Sequence, residues 1–176
     1  EETMKKVAAA AGVTEAEMRA ATEATRGVRL FFLERDKERP PSARTMDGSI
    51  TGLDHVVVST SDPERTAALH GARLGLDMAL DRSHPDWGRL MFFRCGDLIV
   101  EVTHRPGKEA DASPDRLRGL CWRVADMDAT HARLAQAGAD VSEVRNGRKP
   151  GTRVMTVRSG PCGVPTLLVQ PSAGKP

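Results

Sequence analysis

The hydrophobic pattern of this chain contains one unit twice. In the first copy an apolar run that begins at His55 is followed, seven residues later, by Asp62 and then by an Ala/Leu/Arg-rich helical pattern that stops at Gly75. In the second copy a run from Gly119 has the same spacing, and its helical pattern stops at Gly138. Such a repeat predicts two copies of one supersecondary unit that pack together to bury a shared face.

The first copy predicts a strand, a helix and three further strands. Its first strand covers residues 53–60, and Asp62 and Pro63 begin the helix as N-cap and first helical residue. The helix runs to about Leu74. The three following strands are expected at residues 76–82, 89–94 and 97–104.

The second copy repeats this order after a polar connecting loop, residues 105–118. Its expected elements are a strand at 119–125, a helix at 127–137 and strands at 139–145, 152–158 and 165–170. Each copy is therefore interpreted as a β-α-β-β-β module. Together the modules, residues 50–105 and 118–172, form one domain over residues 50–172.

The segment before the repeat fits the same scheme. Residues 27–35 predict a strand that aligns without a gap with residues 163–171. We interpret residues 1–35 as the back half of a preceding partial module, and the Pro-containing residues 36–49 as a linker. An unrelated helix–strand extension is the alternative. A start within a helical pattern and without Met favours a truncated or processed chain.

Composition limits the classes of partner. The 176 residues include 26 Lys and Arg and 24 Asp and Glu, interspersed along the chain, for a net charge of +2. A nucleic acid or a membrane partner would need a clustered basic face, so neither is expected. No apolar run is long enough for a membrane span. The three cysteines are odd in number and lack zinc-site spacing, which predicts reduced thiols in a cytoplasmic protein.

Five segments carry a resemblance to a known family. They are Gly52-Leu-Asp-His-Val-Val-Val, Asp62-Pro-Glu, Leu98-Ile-Val-Glu-Val, Trp122-Arg-Val-Ala-Asp-Met-Asp and Pro161-Cys-Gly-Val-Pro. Over about residues 51–172 the chain resembles the vicinal-oxygen-chelate superfamily, which includes glyoxalases, bleomycin resistance proteins and extradiol dioxygenases. The resemblance implies an α+β fold in which paired β-α-β-β-β modules form a curved mixed sheet around a cup. It also implies a homodimer.

The resemblance further implies a divalent metal held by the first and last strand of each module. His55 and Glu101 match the two positions of the first module. In the second module the matching positions are Gly119 and either Leu167 or Leu168, which are not metal ligands. One ion of Fe, Mn, Ni or Zn bound by His55 and Glu101 is therefore one interpretation, and a metal-free cup is the other.

Three more residues are candidates for substrate binding. Cys121 lies two residues after Gly119, on the same face of its strand, and either reaches into the cup or is a buried apolar residue. Trp87, in a loop that could overhang the cup, could pack on a ligand or belong to a surface turn. Arg94 either points inward to an anionic substrate or lies on the outer face.

Three functions follow from these residues. The first is an enzyme of the glyoxalase-like lyase or dioxygenase-like type acting on a small oxygenated molecule, with a metal at His55 and Glu101, or with Glu101 as a base whose pKa burial raises. The second is a metal-free protein that binds or sequesters a small molecule, as in antibiotic resistance. The third is a degenerate half of a longer enzyme. The retained His55 and Glu101 favour an enzyme over a binding protein.

Overall fold

The computed structural model describes residues 48–105, 107, 111–158 and 163–172, together with Thr14, Ala16, residues 23–28 and Leu30. The interpretation of residues 1–35 as a partial module, and of residues 36–49 as a linker, therefore falls almost wholly outside the described residues. Both stay predictions, as does the division of the domain into its two modules.

The β-α-β-β-β order appears twice in the structure. The first copy contains β1 (Ile50–Ser59), α1 (Pro63–Ala67) continued by a π-helical turn (Ala68–Arg73), β2 (Asp77–His84), β3 (Gly88–Cys95) and β4 (Leu98–His104). The second copy contains β5 (Arg116–Val124), α2 (Met127–Gln136), β6 (Arg145–Asn146), β7 (Arg153–Val157) and β8 (Thr166–Gln170).

Both helices begin and end as the sequence predicts. The side chains of Asp62 and Asp126 each accept a hydrogen bond from a backbone N–H three residues on, which satisfies a donor that the first helical turn leaves free. Gly75 and Gly138 follow the helices with φ values of +67° and +76°, a conformation that favours glycine. No helix in the described part of the chain is long and apolar enough to cross a membrane.

The eight strands form one curved, open, mixed sheet, which confirms the predicted fold class. Their order is β2-β3-β4-β1-β5-β8-β7-β6, so each copy of the unit supplies four adjacent strands. β1 and β5 pair antiparallel at the centre, and each is flanked on its other side by a parallel partner, β4 and β8 respectively. The four central strands are therefore the first and last of each copy.

The hydrophobic core lies between the helices and one face of the sheet. It has two clusters, one for each copy, formed by Val58, Met91, Phe93 and Val102 and by Val124, Met127, Met155 and Leu168. Because successive strand residues face opposite sides, residues between core positions point to the other side of the sheet. We call that side the cup face.

One predicted strand is largely absent. Residues 139–145 were expected to be extended and paired, but the structure has only the two-residue β6 and an isolated bridge between Val141 and Val157. The Ser142 hydroxyl accepts a hydrogen bond from the Thr156 N–H at 2.9 Å and donates to the Glu143 carbonyl at 3.0 Å. This side chain therefore takes the place of a backbone ladder partner.

Two other boundaries differ from the prediction. β5 begins at Arg116, inside the segment expected to be a connecting loop. The first helix widens to a π-helical turn after Ala67, where the Leu74 N–H bonds to the Leu69 carbonyl. In this turn the His70 ring is buried, with Nδ1 2.9 Å from the Thr66 carbonyl oxygen. His70 is thus a packing residue of the core side and not part of the cup.

Candidate functional site

The pairing of β1 with β4 brings together the two residues expected to be metal ligands. His55 is aligned with Ile99, and Glu101 lies two residues farther along β4 on the same face. His55 Nε2 and Glu101 Oε2 are 3.4 Å apart. Their side chains are 19% and 15% exposed, so the pair is accessible from the cup but shielded from bulk water.

Asp54 joins this pair, although strand alternation would place it on the other face. The β1–β5 register shifts between Leu53, which faces Trp122, and His55, which faces Cys121, so Asp54 is an extra residue in β1. Such a bulge re-aims a side chain. As a result an Asp54 carboxylate oxygen lies 2.8 Å from His55 Nδ1. The sequence analysis did not identify Asp54, because the hydrophobic pattern of β1 does not indicate the bulge.

The contact with Asp54 fixes the orientation of the His55 ring. The hydrogen bond from His55 holds the pKa of Asp54 below its usual value, so this carboxyl is ionised and can only accept. His55 therefore donates through Nδ1–H, and its Nε2 faces Glu101. A carboxylate behind one imidazole nitrogen is the usual way to present the other nitrogen to a metal or a proton.

Burial in the cup raises the pKa values of both Glu101 and Cys121. Burial raises the pKa of Glu101, and the nearby charges of His55 and Arg148 oppose this rise only in part. Burial also raises the pKa of Cys121 to about 12, helped by the negative charges of Asp54 and Glu101. Cys121 is therefore a neutral thiol at physiological pH, although it is placed against the group, with possible ligand atoms of Asp54, His55 and Cys121 within 4.8 Å of one another.

Arg123 holds the bulge in place from β5. Its Nη2 donates to the Leu53 carbonyl at 2.7 Å and to the Asp97 carbonyl at 3.1 Å. Its Nε lies 3.8 Å from an Asp54 carboxylate oxygen. These contacts tie β5 and the turn before β4 to the bulged residue. Arg123 therefore positions Asp54, which in turn positions His55.

The other two predicted substrate residues have contacts outside this group. Arg94 lies on β3, two strands from β1, and its exposed guanidinium pairs with Asp77 at 3.5 Å. Trp87 lies in the turn between β2 and β3, where its ring stacks on His84 with centroids 4.8 Å apart. Substrate binding by Arg94, Trp87 and Cys121 stays a prediction.

A second loop meets Trp87 at the rim of the cup. Arg148, between β6 and β7, places its guanidinium 5.8 Å from the centre of a Trp87 ring, within the range of a cation–π contact. Its positive charge opposes part of the rise in the pKa of Glu101. A loop from each copy of the unit thus takes part in the contact between Arg148 and Trp87. Sequence reasoning did not single out Arg148, because an exposed basic turn has no local signature of this contact.

These residues are a partial fit to the metal site that the family resemblance implies. A spacing of 3.4 Å between His55 Nε2 and Glu101 Oε2 suits two neighbouring ligands at about 2.1 Å from one ion. The other two positions supply no donor: Gly119 has no side chain, and Leu167, which is aligned with Cys121, is apolar. Leu168, the alternative candidate, is buried in the core. The described residues therefore do not fit the four-ligand set.

Comparison with known proteins agrees with this fold. A family model described as the glyoxalase/bleomycin resistance protein/dioxygenase superfamily matches residues 54–156. An ethylmalonyl-CoA/methylmalonyl-CoA epimerase from Cereibacter sphaeroides is 28% identical over 97 residues, which cover 51% of this chain and 72% of the epimerase. The match to the family model covers more than half of the chain and contains both His55 and Glu101.

Solved structures with the same fold include two methylmalonyl-CoA epimerases. The enzyme from Mycobacterium tuberculosis has a TM-score of 0.60 at 20% identity and covers 75% of this chain and 95% of its own. A Streptomyces coelicolor variant in complex with 2-nitronate-propionyl-CoA has a TM-score of 0.57 at 21% identity and covers 72% and 100%. The predicted vicinal-oxygen-chelate resemblance is confirmed, and the chain belongs to the glyoxalase/bleomycin resistance protein/dioxygenase superfamily.

Proposed function

We propose that this protein is an enzyme that removes and returns a proton at the carbon next to a carbonyl group, in a small acyl substrate bound in the cup. The observation that carries the proposal is the chain of contacts Asp54–His55–Glu101, with distances of 2.8 Å and 3.4 Å. A carboxyl whose pKa is raised by burial, beside an imidazole of fixed orientation, is suited to general acid–base work.

In the proposed step the Glu101 carboxylate takes the proton from the substrate carbon. The C–H electron pair moves into the adjacent bond, and the carbonyl oxygen becomes an enolate oxygen. Glu101 can pass the proton to His55 Nε2, and Asp54 then stabilises the imidazolium that forms. Reversal of the step returns a proton to the carbon. Arg148, whose positive charge acts at Glu101, is available to stabilise the negative charge on the substrate oxygen.

The relatives indicate which compounds to test first. The curated relative is named as an epimerase of ethylmalonyl-CoA and methylmalonyl-CoA, and both solved relatives are named as methylmalonyl-CoA epimerases. An epimerase inverts a carbon centre, which is compatible with proton removal and return. Malonyl-type thioesters are therefore the first probes, and the reaction class, not a particular thioester, is the proposal.

Metal assistance by one ion of Fe, Mn, Ni or Zn at His55 and Glu101 stays one of two interpretations, and a metal-free cup is the other. Superfamily enzymes commonly bind a divalent metal, and this chain offers a partial ligand group. Because Gly119 and Leu167 supply no donor, the proposed proton transfer depends on Glu101 and His55 alone.

The test is exchange of the substrate carbon-bound hydrogen with D2O. Wild-type protein is incubated with methylmalonyl-CoA or ethylmalonyl-CoA, and deuterium incorporation is followed by mass spectrometry. Glu101→Gln and His55→Ala should each lower the exchange rate by a factor of about 10²–10⁴. The matched control is Glu143→Gln, a substitution of an exposed glutamate, which should leave the rate unchanged. Full exchange by Glu101→Gln would show that Glu101 is not the base.

Binding without chemistry is the second candidate function. The apolar Gly119 and Leu167 positions favour it, because the second copy of the unit contributes no ionisable group to the cup at either position. In that case the wild-type protein would bind the same thioesters, measured by isothermal titration calorimetry, with no deuterium incorporation. Binding together with exchange would favour the enzyme.

The homodimer and the cytoplasmic location also stay predictions. One observation bears on the first: the edge strand β2 is exposed along its length, and its Met78 and Leu80 are both 43% exposed. Exposed edge strands are commonly covered by a partner. Light scattering coupled to size-exclusion chromatography would measure the oligomeric state directly.

A further inference from the structure

A separate polar cavity begins one step beyond Glu101 on the cup face. Thr103 lies two residues after Glu101 in β4, about 7 Å farther along the strand. Ser59 of β1 is aligned with Thr103 on one side and with Arg116 of β5 on the other. Ser59, Thr103 and Arg116 all line a cavity of about 450 Å³. The cavity therefore adjoins the reactive group across the ends of the three central strands.

The cavity has an excess of positive charge. Arg105, Arg116 and Arg118 line it, and none of them forms an ion pair with a carboxylate in the described part of the chain. Asp111 is a negative group at the wall, and one of its carboxylate oxygens accepts a hydrogen bond from the Ser113 N–H at 2.7 Å. Among the described residues at this wall, three guanidinium groups against one carboxylate leave a site that attracts anions.

Some other arginines in the described part of the chain have carboxylate partners. Arg89 donates to Asp81 and Glu64, and Arg153 forms a two-bond pair with Asp128 at 2.6 Å and 2.7 Å. Arg65 and Arg73 have no carboxylate partner among the described residues either, so what distinguishes the arginines at the cavity is that three of them line one space. The arrangement favours a ligand that supplies the missing negative charge.

Hydrogen-bonding side chains complete the wall. Ser59, Ser61 and Thr103 place hydroxyl groups at the cavity, and His104 stands beside them with Nδ1 3.1 Å from the Thr60 carbonyl oxygen. Because a carbonyl only accepts, this nitrogen carries the proton, and the ring is held in one orientation. The Ser61 hydroxyl donates to the backbone carbonyls of Asp111 and Ser113, and the Thr103 hydroxyl donates to that of Val58. The guanidinium groups are therefore the donors that match the oxygens of a phosphate or a carboxylate.

We infer that this cavity binds an oxyanion group, a phosphate or a carboxylate, at the far end of the ligand whose other end lies at His55 and Glu101. The inference rests on the proposed function for the position of the reacting end. Ser59 lies four residues beyond His55 in β1, so the two ends are separated by about 7–13 Å. The substrate is therefore elongated and carries its negative charge away from the carbon that loses the proton.

The experiment measures binding of simple anions, which needs no substrate turnover. Inorganic pyrophosphate, inorganic phosphate and succinate are titrated into ¹⁵N-labelled protein, and amide shifts are followed by NMR. We expect shifts at residues 103–105 and 116–118, with stronger binding of pyrophosphate if the natural group is a phosphate and of succinate if it is a carboxylate. Shifts spread evenly over all exposed arginines would overturn the inference.

Charge-matched variants test whether the arginines at the cavity bind the anion. Arg116→Gln/Arg118→Gln should weaken the preferred anion at least tenfold, whereas Arg65→Gln/Arg73→Gln, which removes the same charge from exposed helical positions, should change its affinity less than twofold. Arg105→Gln is a second variant that acts from another strand end. Equal affinities in the two double variants would overturn the inference.

A third variant separates this inference from the proposed function. Glu101→Gln should lose deuterium exchange but keep anion binding. Exchange by the wild type without anion binding would overturn only the inference, and anion binding without exchange would overturn only the proposed enzyme.

Discussion

Gly119 in β5 lies against the backbone of Pro165, at the position where the repeat places the counterpart of His55. A Cβ atom added to Gly119 would stand 2.9 Å from the Pro165 carbonyl oxygen, closer than such contacts occur in proteins. That oxygen also accepts a hydrogen bond from the Leu120 N–H at 3.0 Å, so it is not free to move. The second copy of the unit therefore has no room for a ligand side chain at this position.

Substitution of Gly119 should destabilise the protein. Gly119→Ala is expected to lower the free energy of unfolding by about 1–3 kcal/mol, because the added methyl group forces β5 and the start of β8 apart. The control is Gly71→Ala, where the nearest atom would be Phe93 Cε1 at 3.9 Å, an ordinary contact. Urea denaturation measures both. Equal stability of the two variants would show that the β5–β8 contact is looser than the structure indicates.

The protein is expected to contain little bound metal. Protein purified without added metal or chelator should contain well under one equivalent of metal, because His55 and Glu101 are only two donors and a bound ion usually needs three or four from the protein. Titration of Mn, Fe, Ni and Zn should shift the Tm of wild type and His55→Ala equally. One equivalent in the wild type that is lost in His55→Ala would instead establish a metal site.

The charge state of Glu101 should be visible in the pH dependence of stability. Since burial raises the pKa of Glu101, the folded protein binds this proton more tightly than the unfolded chain does. The resulting stabilisation is present below the usual glutamate range and is lost as the pH rises through the raised pKa. Glu101→Gln should remove this loss and make the protein more stable than the wild type at pH 8. Thermal unfolding between pH 4 and pH 8 measures it, with Glu143→Gln as control.

Asp54 is expected to act as a positioning residue. Asp54→Asn keeps the size of the side chain but lets it present an N–H to His55 Nδ1, which disturbs the ring orientation. The kcat for exchange should fall about 10–100-fold with little change in KM. A variant that lowers the Tm but leaves kcat and its pH profile unchanged would assign Asp54 a structural role only.

A buried polar cluster ties the N-terminal segment to the domain. Asp115 is 2% exposed, accepts a hydrogen bond from Thr66 Oγ1 at 2.8 Å and lies 3.7 Å from Arg26 Nε. Asp115→Ala should lower the free energy of unfolding by about 1–3 kcal/mol, because it removes a buried hydrogen bond with Thr66 and leaves Asp62, at 3.9 Å, as the remaining carboxylate near the Arg26 guanidinium. Asp77→Ala, which breaks the exposed pair with Arg94, should cost less than about 1 kcal/mol. Chemical denaturation compares them, and similar losses would contradict this account.

The sequence predicted the features that depend on short-range pattern. Asp62 and Gly75 mark the ends of the first helix by local hydrogen bonding and by backbone conformation, and both are visible in the chain without its fold. His55 and Glu101 were assigned from the family resemblance, which implies metal ligands in the first and last strand of each module.

What the sequence could not predict depends on contacts between distant segments. The bulge that turns Asp54 into the cup exists only because β1 and β5 shift register against each other. Arg148 meets Trp87 across the rim, a contact between two loops with no shared pattern. Ser142 interrupts residues 139–145, whose pattern predicts a strand, because its hydroxyl accepts the Thr156 N–H in place of a backbone carbonyl. In each case the deciding partner is far away in sequence.

The bulge at Asp54 makes the arrangement of Asp54, His55 and Glu101 depend on the pairing of β1 with β5, where the two halves of the sheet meet. His55 and Glu101 come from one half, but Arg123, which fixes the bulge through the Leu53 carbonyl, comes from the other. Weaker pairing between β1 and β5 would thus separate Asp54 from His55, while each half of the sheet kept its own hydrophobic core. We therefore expect the arrangement of this group to fail before either half unfolds.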